Sequence, residues 1–319
     1  MSEKCLEGHA GHSDHDHSHS MTRRTLRFAF FLTLVIAATQ TIGGLLAHSL
    51  ALLSDAGHVL TDLFALGLAW FAAVQAERPA NARNTFGYHR VGILAALVNA
   101  ITLILITIGI LYEALQRFRQ PEPVNPLIML ISAWIGIVIN LIIAFGLQKE
   151  SHNLNTRAAA LHVFGDVAAS MGVIIASVII LLTSWSPIDP LLSIGIAVLI
   201  AIGAWRVVCE TTDILLEAVP KGLDMTALVE DMQGVVGIQA VHDLHVWSIS
   251  SGMSSLSCHV TIADQKASES SLILCALESL LKGKYHIEHC TIQFECHAHQ
   301  APHCSINDLY CQLTDISKR

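Results

Sequence analysis

Charge is scarce in this chain. Asp, Glu, Lys and Arg make up 14% of its 319 residues, against about 25% in an ordinary soluble domain. That shortage, with 53% hydrophobic content, points to a membrane protein. Basic residues are fewer than acidic ones, 18 against 26, for a net charge of −8. A nucleic-acid partner is therefore not expected. The first 20 residues are polar, with no apolar core of the kind a cleavable signal peptide needs. There is no P-loop, so ATP is not indicated as an energy source. There is no His-Glu-x-x-His either, which an intramembrane metalloprotease would carry. An enzyme is not expected.

What the chain has instead is long apolar runs. Six are long enough to span a bilayer as helices, at 28–47, 50–74, 91–112, 127–147, 158–183 and 188–208. Arg23, Arg24 and Arg27 precede the first run, Arg78, Arg83 and Arg90 separate the second from the third, and Lys149 and Arg157 separate the fourth from the fifth. The other side carries only Arg117 and Arg119. The positive-inside rule then places both termini in the cytosol. All eight cysteines fall on or beside that side. In a reducing compartment they are expected as free thiols, available as metal ligands.

The polar segments divide the rest. Residues 1–22 read as a disordered tail containing "HAGHSDHDHSHS". Its His9, His12, His15, His17 and His19 either collect metal loosely or are simply solvated. Residues 77–90 read as a cytosolic loop and 119–126 as a proline-rich outer turn. "ETTDILLEAVPKGLD" reads as a linker, with Pro220 and Gly222 at its break. Beyond it the order is helix, strand, strand, helix, strand, with helices at 224–233 and 267–281. In 255–262 and 289–296 apolar and polar residues alternate, as half-buried strands do. "VHDLHVWSI" at 241–249 reads as a more buried strand. The pattern predicts a small α+β domain with its helices on one face of a sheet.

Within the apolar runs sits one chemical pattern. "DAGHVLTD" at 55–62 puts His58 and Asp62 four residues apart, and "ALHVFGD" at 160–166 does the same with His162 and Asp166. An acid at the centre of a membrane helix costs roughly 2.5–3.5 kcal/mol, so these groups need a reason. Residues i and i+4 share a helix face. Two such helices facing each other offer two imidazoles and two carboxylates around one point, a set that tetrahedral zinc accepts. The metal would neutralise both acids. Capping or interhelical hydrogen bonds would explain one such pair better than two. Asp55 lies one turn before the Asp62 face, placed for a supporting or access role or for a plain hydrogen bond. Asp189 lies near the outer end of the sixth run, as an ion or proton exit or as a helix cap. Asn99 and Asn140 read as helix-to-helix hydrogen-bonding groups.

Six spans, "LLSDAGHVLTD", "FGYHR", "AALHVFGD", "DP" at the sixth span, "VHDLHVWSI" and "TIQFE" together resemble the cation diffusion facilitator family, in particular its bacterial zinc exporters with a His-rich tail. The resemblance covers about 23–296. It implies a homodimer that exports divalent metal from the cytosol in exchange for protons. It also implies a metallochaperone-like (ferredoxin-like) C-terminal domain that dimerises, with zinc bound there. By the same resemblance the transport ligands are His58, Asp62, His162 and Asp166, and His rather than Asp at position 58 goes with zinc. His242, His259 and Glu295 match the family's cytosolic metal positions, and His289 lies near another. Cys296 and Cys304 are placed to add ligands across the dimer. With only His89 in the loop 77–90, an extra loop site is not expected. Without a His-rich insertion at 148–157, a bacterial inner membrane is favoured over an organelle.

The expected division is a tail (1–22), a six-helix membrane domain (23–210), a cytosolic metal-binding dimerisation domain (211–299) and a Cys/His-containing end (300–319). The expected function is zinc efflux by proton antiport with alternating access. Its rivals are export of cadmium, cobalt or iron, and a membrane metal sensor that moves no ion.

Overall fold

The computed structural model describes residues 19–120, 122–148, 154–250 and 252–296, with the side chains of 19–29, 146–148 and 154–163 left out. Two compact units emerge. One holds the helices up to Gln75 and residues 94–209; the other holds residues 76–93 and the described residues from Glu210 to Cys296.

The first unit is helical: α1 (His19–Ala47), α2 (Leu50–Ala76), α3 (Val91–Arg119), α4 (Pro126–Gln148), α5 (Leu154–Thr183) and α6 (Ile188–Leu215). Among the described residues these six helices are long and apolar enough to cross a membrane. Their apolar windows match the expected runs, but the helices run further. α1 starts at His19, α3 reaches Arg119 and α6 reaches Leu215. Hydropathy marks where lipid begins, whereas backbone hydrogen bonding continues past it. The first six of the fifteen residues expected as a linker, 210–215, are therefore the end of α6.

Inside lipid the helices gain nothing from hiding apolar surface from water, so close packing and polar contacts must hold them. Small residues provide the closeness. A Cβ on Gly43 of α1 would fall 2.0 Å from the Ser132 hydroxyl of α4, and one on Gly172 of α5 would fall 3.2 Å from Leu192 of α6. Ala47, Ala51, Ala133 and Ala176 are buried in the same packed cluster. The α1–α2 turn passes through His48 at φ 54°. Ser49 then caps α2, its hydroxyl accepting from the Leu52 amide at 3.2 Å. Asn125 caps α4 by accepting from the Leu127 and Ile128 amides.

The second unit contains α7 (Met225–Gln233), β1 (Ile238–Ser250), β2 (Met253–Ile262), α8 (Ala267–Tyr285) and β3 (Ile287–Cys296), the element order expected from the pattern. Asp224 caps α7 through the Thr226 and Ala227 amides. The sheet order is β1-β2-β3, with β1 antiparallel to β2 and β3 parallel to β2. A parallel return needs a crossover, and α8 supplies it. Leu228 and Met232 of α7 and Ile273, Leu277 and Leu281 of α8 pack with Val241, Leu244, Val246, Leu256 and Val260 of the sheet. Both helices thus cover one face and leave the other polar. The expected cytosolic loop 77–90 packs with this unit as part of residues 76–93. Arg90 pairs with Glu217 at 3.1 Å, and the Phe86 ring meets His289 edge-on at 5.4 Å.

Candidate metal centres

On α2, His58 and Asp62 stand one turn apart, with His58 Nε2 3.6 Å from Asp62 Oδ2. From α5, Asp166 brings Oδ1 to 3.8 Å from the same nitrogen. Donors around a tetrahedral zinc, with bonds of about 2.0–2.2 Å, lie roughly 3.3–3.5 Å from one another. Each carboxylate is therefore within a few tenths of an ångström of ligand spacing from His58 Nε2. They open onto a cavity of about 1020 Å³ that Asp55 and Asn99 also line. His162 lies one turn before Asp166 on α5, and its side chain is outside the described residues.

Asp55 is buried. Its Oδ2 accepts from Gln40 Nε2 of α1 at 2.5 Å and from the Ser170 hydroxyl of α5 at 3.3 Å. Gln40 and Ser170 escaped sequence reasoning, because a single amide or hydroxyl in an apolar run carries no pattern. Asn99, expected to bond helix to helix, instead lines the cavity with a side-chain oxygen that has no partner among the described residues.

Asp189 caps a helix, but α2 rather than the expected sixth helix. It is fully buried at the start of α6 and accepts from the Ser49 hydroxyl (2.5 Å), the Leu50 amide (2.7 Å) and the Ala51 amide (3.3 Å) at the start of α2. Arg117 stands 3.9 Å away, 3.3 Å from Glu122 and 3.6 Å from Glu113, and also donates to the His48 carbonyl. Packing therefore accounts for this basic residue on the predicted outer side.

On the polar face of the sheet, His242 of β1 lies directly opposite His259 of β2. His242 Nε2 is 3.2 Å from Glu295 Oε2 of β3, and His259 Nδ1 is 3.0 Å from Glu295 Oε1. One donor atom from each of the three lies within 4.8 Å of the others. His242 Nδ1 is buried without a hydrogen-bond partner among the described residues. Two imidazoles and a carboxylate so arranged fit zinc. Gln293 donates to Glu295 at 3.0 Å. A bulge between His242 and His245 turns Asp243 to φ 49°, where its carboxylate meets His245 at 3.0 Å and His259 at 3.7 Å.

His289 does not join this cluster. It pairs with Ser255 and faces Phe86. It shares the polar face with Glu295 but lies six residues, about 20 Å, along the strand. Cys296 pairs with Ile262, a core residue, and so points away from Glu295. Cys258, expected as an available thiol, is in the core. Burial, with Cys290 and Asp243 nearby, pushes its thiol up to about 12, so it stays protonated and is a poor ligand. His9, His12, His15, His17 and Cys304 lie outside the described residues, as does the side chain of His19, whose backbone opens α1.

A cation efflux transmembrane domain model matches residues 26–216, and a cation efflux protein cytoplasmic domain model matches 220–297. The cadmium, cobalt and zinc/H(+)-K(+) antiporter of Bacillus subtilis is 41% identical over 302 residues, covering 93% of this chain and 96% of that protein. Zinc transporter ZitB of Escherichia coli is 40% identical over 304 residues, covering 92% and 96%. Among solved structures, the metal-bound C-terminal domain of the CzcD transporter from Cupriavidus metallidurans is 34% identical. It covers 23% of this chain and 99% of that one, with a TM-score of 0.21.

Proposed function

The chain belongs to the cation efflux family, and on that premise we propose that it exports zinc from the cytosol in exchange for protons, with His58, Asp62, His162 and Asp166 as the transport ligands. It is a transporter rather than an enzyme. The observation that carries the assignment is the approach of Asp62 from α2 and Asp166 from α5 to the same His58 nitrogen in a cavity between apolar helices. Zinc there would neutralise two carboxylates that are otherwise costly in lipid. Proton coupling follows from the same donors. An imidazole titrates near 6.5 and binds zinc only when neutral, so protons and zinc compete for its nitrogen. The apolar walls keep the exchange confined to these groups.

The rest of the molecule supports this cycle. His242, His259 and Glu295 would hold a resident zinc that ties three strands together and stabilises the cytosolic domain, and with it a homodimer. The histidines within residues 1–22 collect metal ahead of the membrane domain. Residues 23–75 and 94–210 make up the membrane domain, residues 76–93 join 211–299 in the cytosolic domain, and 300–319 is a Cys/His-containing end. The protein sits in a bacterial inner membrane with both termini in the cytosol. Cadmium and cobalt, which the name of the Bacillus subtilis relative includes, are the second substrate reading.

The test is zinc flux in proteoliposomes under an imposed pH gradient. The parent should move zinc against protons, and Asp166→Ala should move none while its elution as a folded species is unchanged. Full flux in Asp166→Ala would sink the assignment.

A further inference from the structure

We propose that Asp55 is a positioning residue for transport, holding α2 at the rotation that brings His58 and Asp62 to face Asp166. This rests on the transport-site reading above. Three observations support it. One oxygen of Asp55 receives Gln40 from α1 and Ser170 from α5, so a single carboxylate ties three helices together. Gln40 and Ser170 are fully buried and Asp55 is 2% exposed. The knot is therefore shielded from competing water, and its geometry is enforced. It also lies next to the ligands along the chain: Asp55 is one turn before His58 on α2, and Ser170 is one turn after Asp166 on α5. A bond from Asp55 to Ser170 sets the two ligand-bearing helices against each other within a turn of where they must meet.

Gly136 of α4 completes the arrangement. A Cβ there would lie 3.1 Å from Gln40 Nε2 and 3.6 Å from the Ser170 hydroxyl. The absent side chain leaves room for the Gln40 amide to reach across to Asp55. Four helices thus contribute to one polar knot, and none of its other members is a metal ligand.

The role requires a donor and an acceptor that meet between positions 40 and 55. It does not require the negative charge to sit on α2. That separates positioning from direct participation in carrying zinc or protons. Removing groups that orient metal ligands typically weakens metal affinity by about 10-fold to 100-fold.

The experiment measures zinc KM and maximal flux in proteoliposomes, and zinc affinity by calorimetry, on the full chain. Asp55→Ala should raise KM and Kd about tenfold or more with most of the maximal flux kept. Asp55→Asn, which keeps an oxygen for Gln40, should stay close to the parent. The double exchange Gln40→Glu with Asp55→Asn reverses donor and acceptor and should also stay close to the parent in KM and Kd. Gly136→Ala, which touches no charge, should raise KM in the same direction as Asp55→Ala. Should Asp55→Ala fail to fold, the Asn, exchange and Gly136 variants still decide. Loss of flux in Asp55→Asn, or in a folded double exchange, would overturn the proposal, because charge on α2 would then be required. A parent-like KM in Asp55→Ala or Gly136→Ala would overturn it too. Asp166→Ala in the same assay keeps the two ideas apart. Flux there removes the transport-site reading, while its absence leaves Asp55 to be judged on its own variants.

Discussion

Replacing Asp189 separates a structural acid from a pathway acid. The carboxylate accepts from the Ser49 hydroxyl, the Leu50 amide and the Ala51 amide, all at the start of α2 and all out of reach of water. In Asp189→Ala the Ser49 hydroxyl can rotate elsewhere, and the 3.3 Å bond from Ala51 is weak to begin with. The Leu50 amide is fixed, and leaving a buried donor unpaired costs about 1–3 kcal/mol. Losing a negative charge at a helix N-terminus costs about 1 kcal/mol more. The expected destabilisation is therefore about 2–4 kcal/mol. Asp189→Asn keeps an oxygen for Leu50 and should lose only about 1 kcal/mol. Unfolding in detergent, followed beside proteoliposome flux, reads both quantities. Asp189→Asn should carry zinc nearly as the parent does. If it instead unfolds like the parent but no longer couples zinc to protons, Asp189 belongs to the proton path and the capping argument fails.

Other outcomes follow from the same geometry. His58→Asp replaces one directed nitrogen by a carboxylate that can bind through one oxygen or two. It should keep zinc transport and gain cadmium transport. Paired zinc and cadmium uptake across pH 6 to 8 checks this, and continued exclusion of cadmium would count against His58 as the selecting group. Glu295→Gln should lower equilibrium zinc stoichiometry of the full chain and reduce flux only modestly; unchanged stoichiometry would remove the cytosolic site. In the cytosolic unit, hydrogen bonds from Lys284 and Tyr285 hold Asp231 below the usual carboxylate range. A group with a lowered folded pKa contributes stability above its unfolded value and loses it as pH falls through the folded one. Asp231→Asn should therefore flatten the acid limb of that unit's unfolding by up to about one proton. An unchanged acid limb would mean that the contact carries no stability.

Patterns that repeat at helix or strand period were readable from residues alone. His58 and Asp62 share a face because any helix through both must place them so, and the apolar run makes the helix certain. The alternation in 255–262 and 289–296 reveals which residues face out. It does not reveal register. Glu295 and His289 lie on the same face of one strand, yet only the first meets His259, because pairing is set by where β3 enters the sheet. The bulge after His242, which turns Asp243 toward His259, has no signature in composition. Cys258 looked like a ligand because thiols can be ligands; its place in the β2 alternation already put it with Leu256 and Val260 in the core. Gln40 and Ser170 were invisible for a different reason. Each is a lone polar residue, and its meaning comes only from a partner on another helix.

The spacing of His58 and Asp62 along α2 also bears on how an ion would leave. If these residues hold the ion as proposed, two ligands on one rigid rod form a single chelating arm, and α5 carries a second arm ending in Asp166. Neither ligand of an arm can withdraw by backbone motion without the other. Turning α2 by the angle of one residue, about 100°, would carry both its donors away together. Bound zinc would drop from a four-ligand cage to a two-ligand perch in one movement, with no three-ligand stage to linger in. The site is then a clasp rather than a ladder: it holds while the arms meet and opens all at once when they part. A rival cation need only be present when it opens.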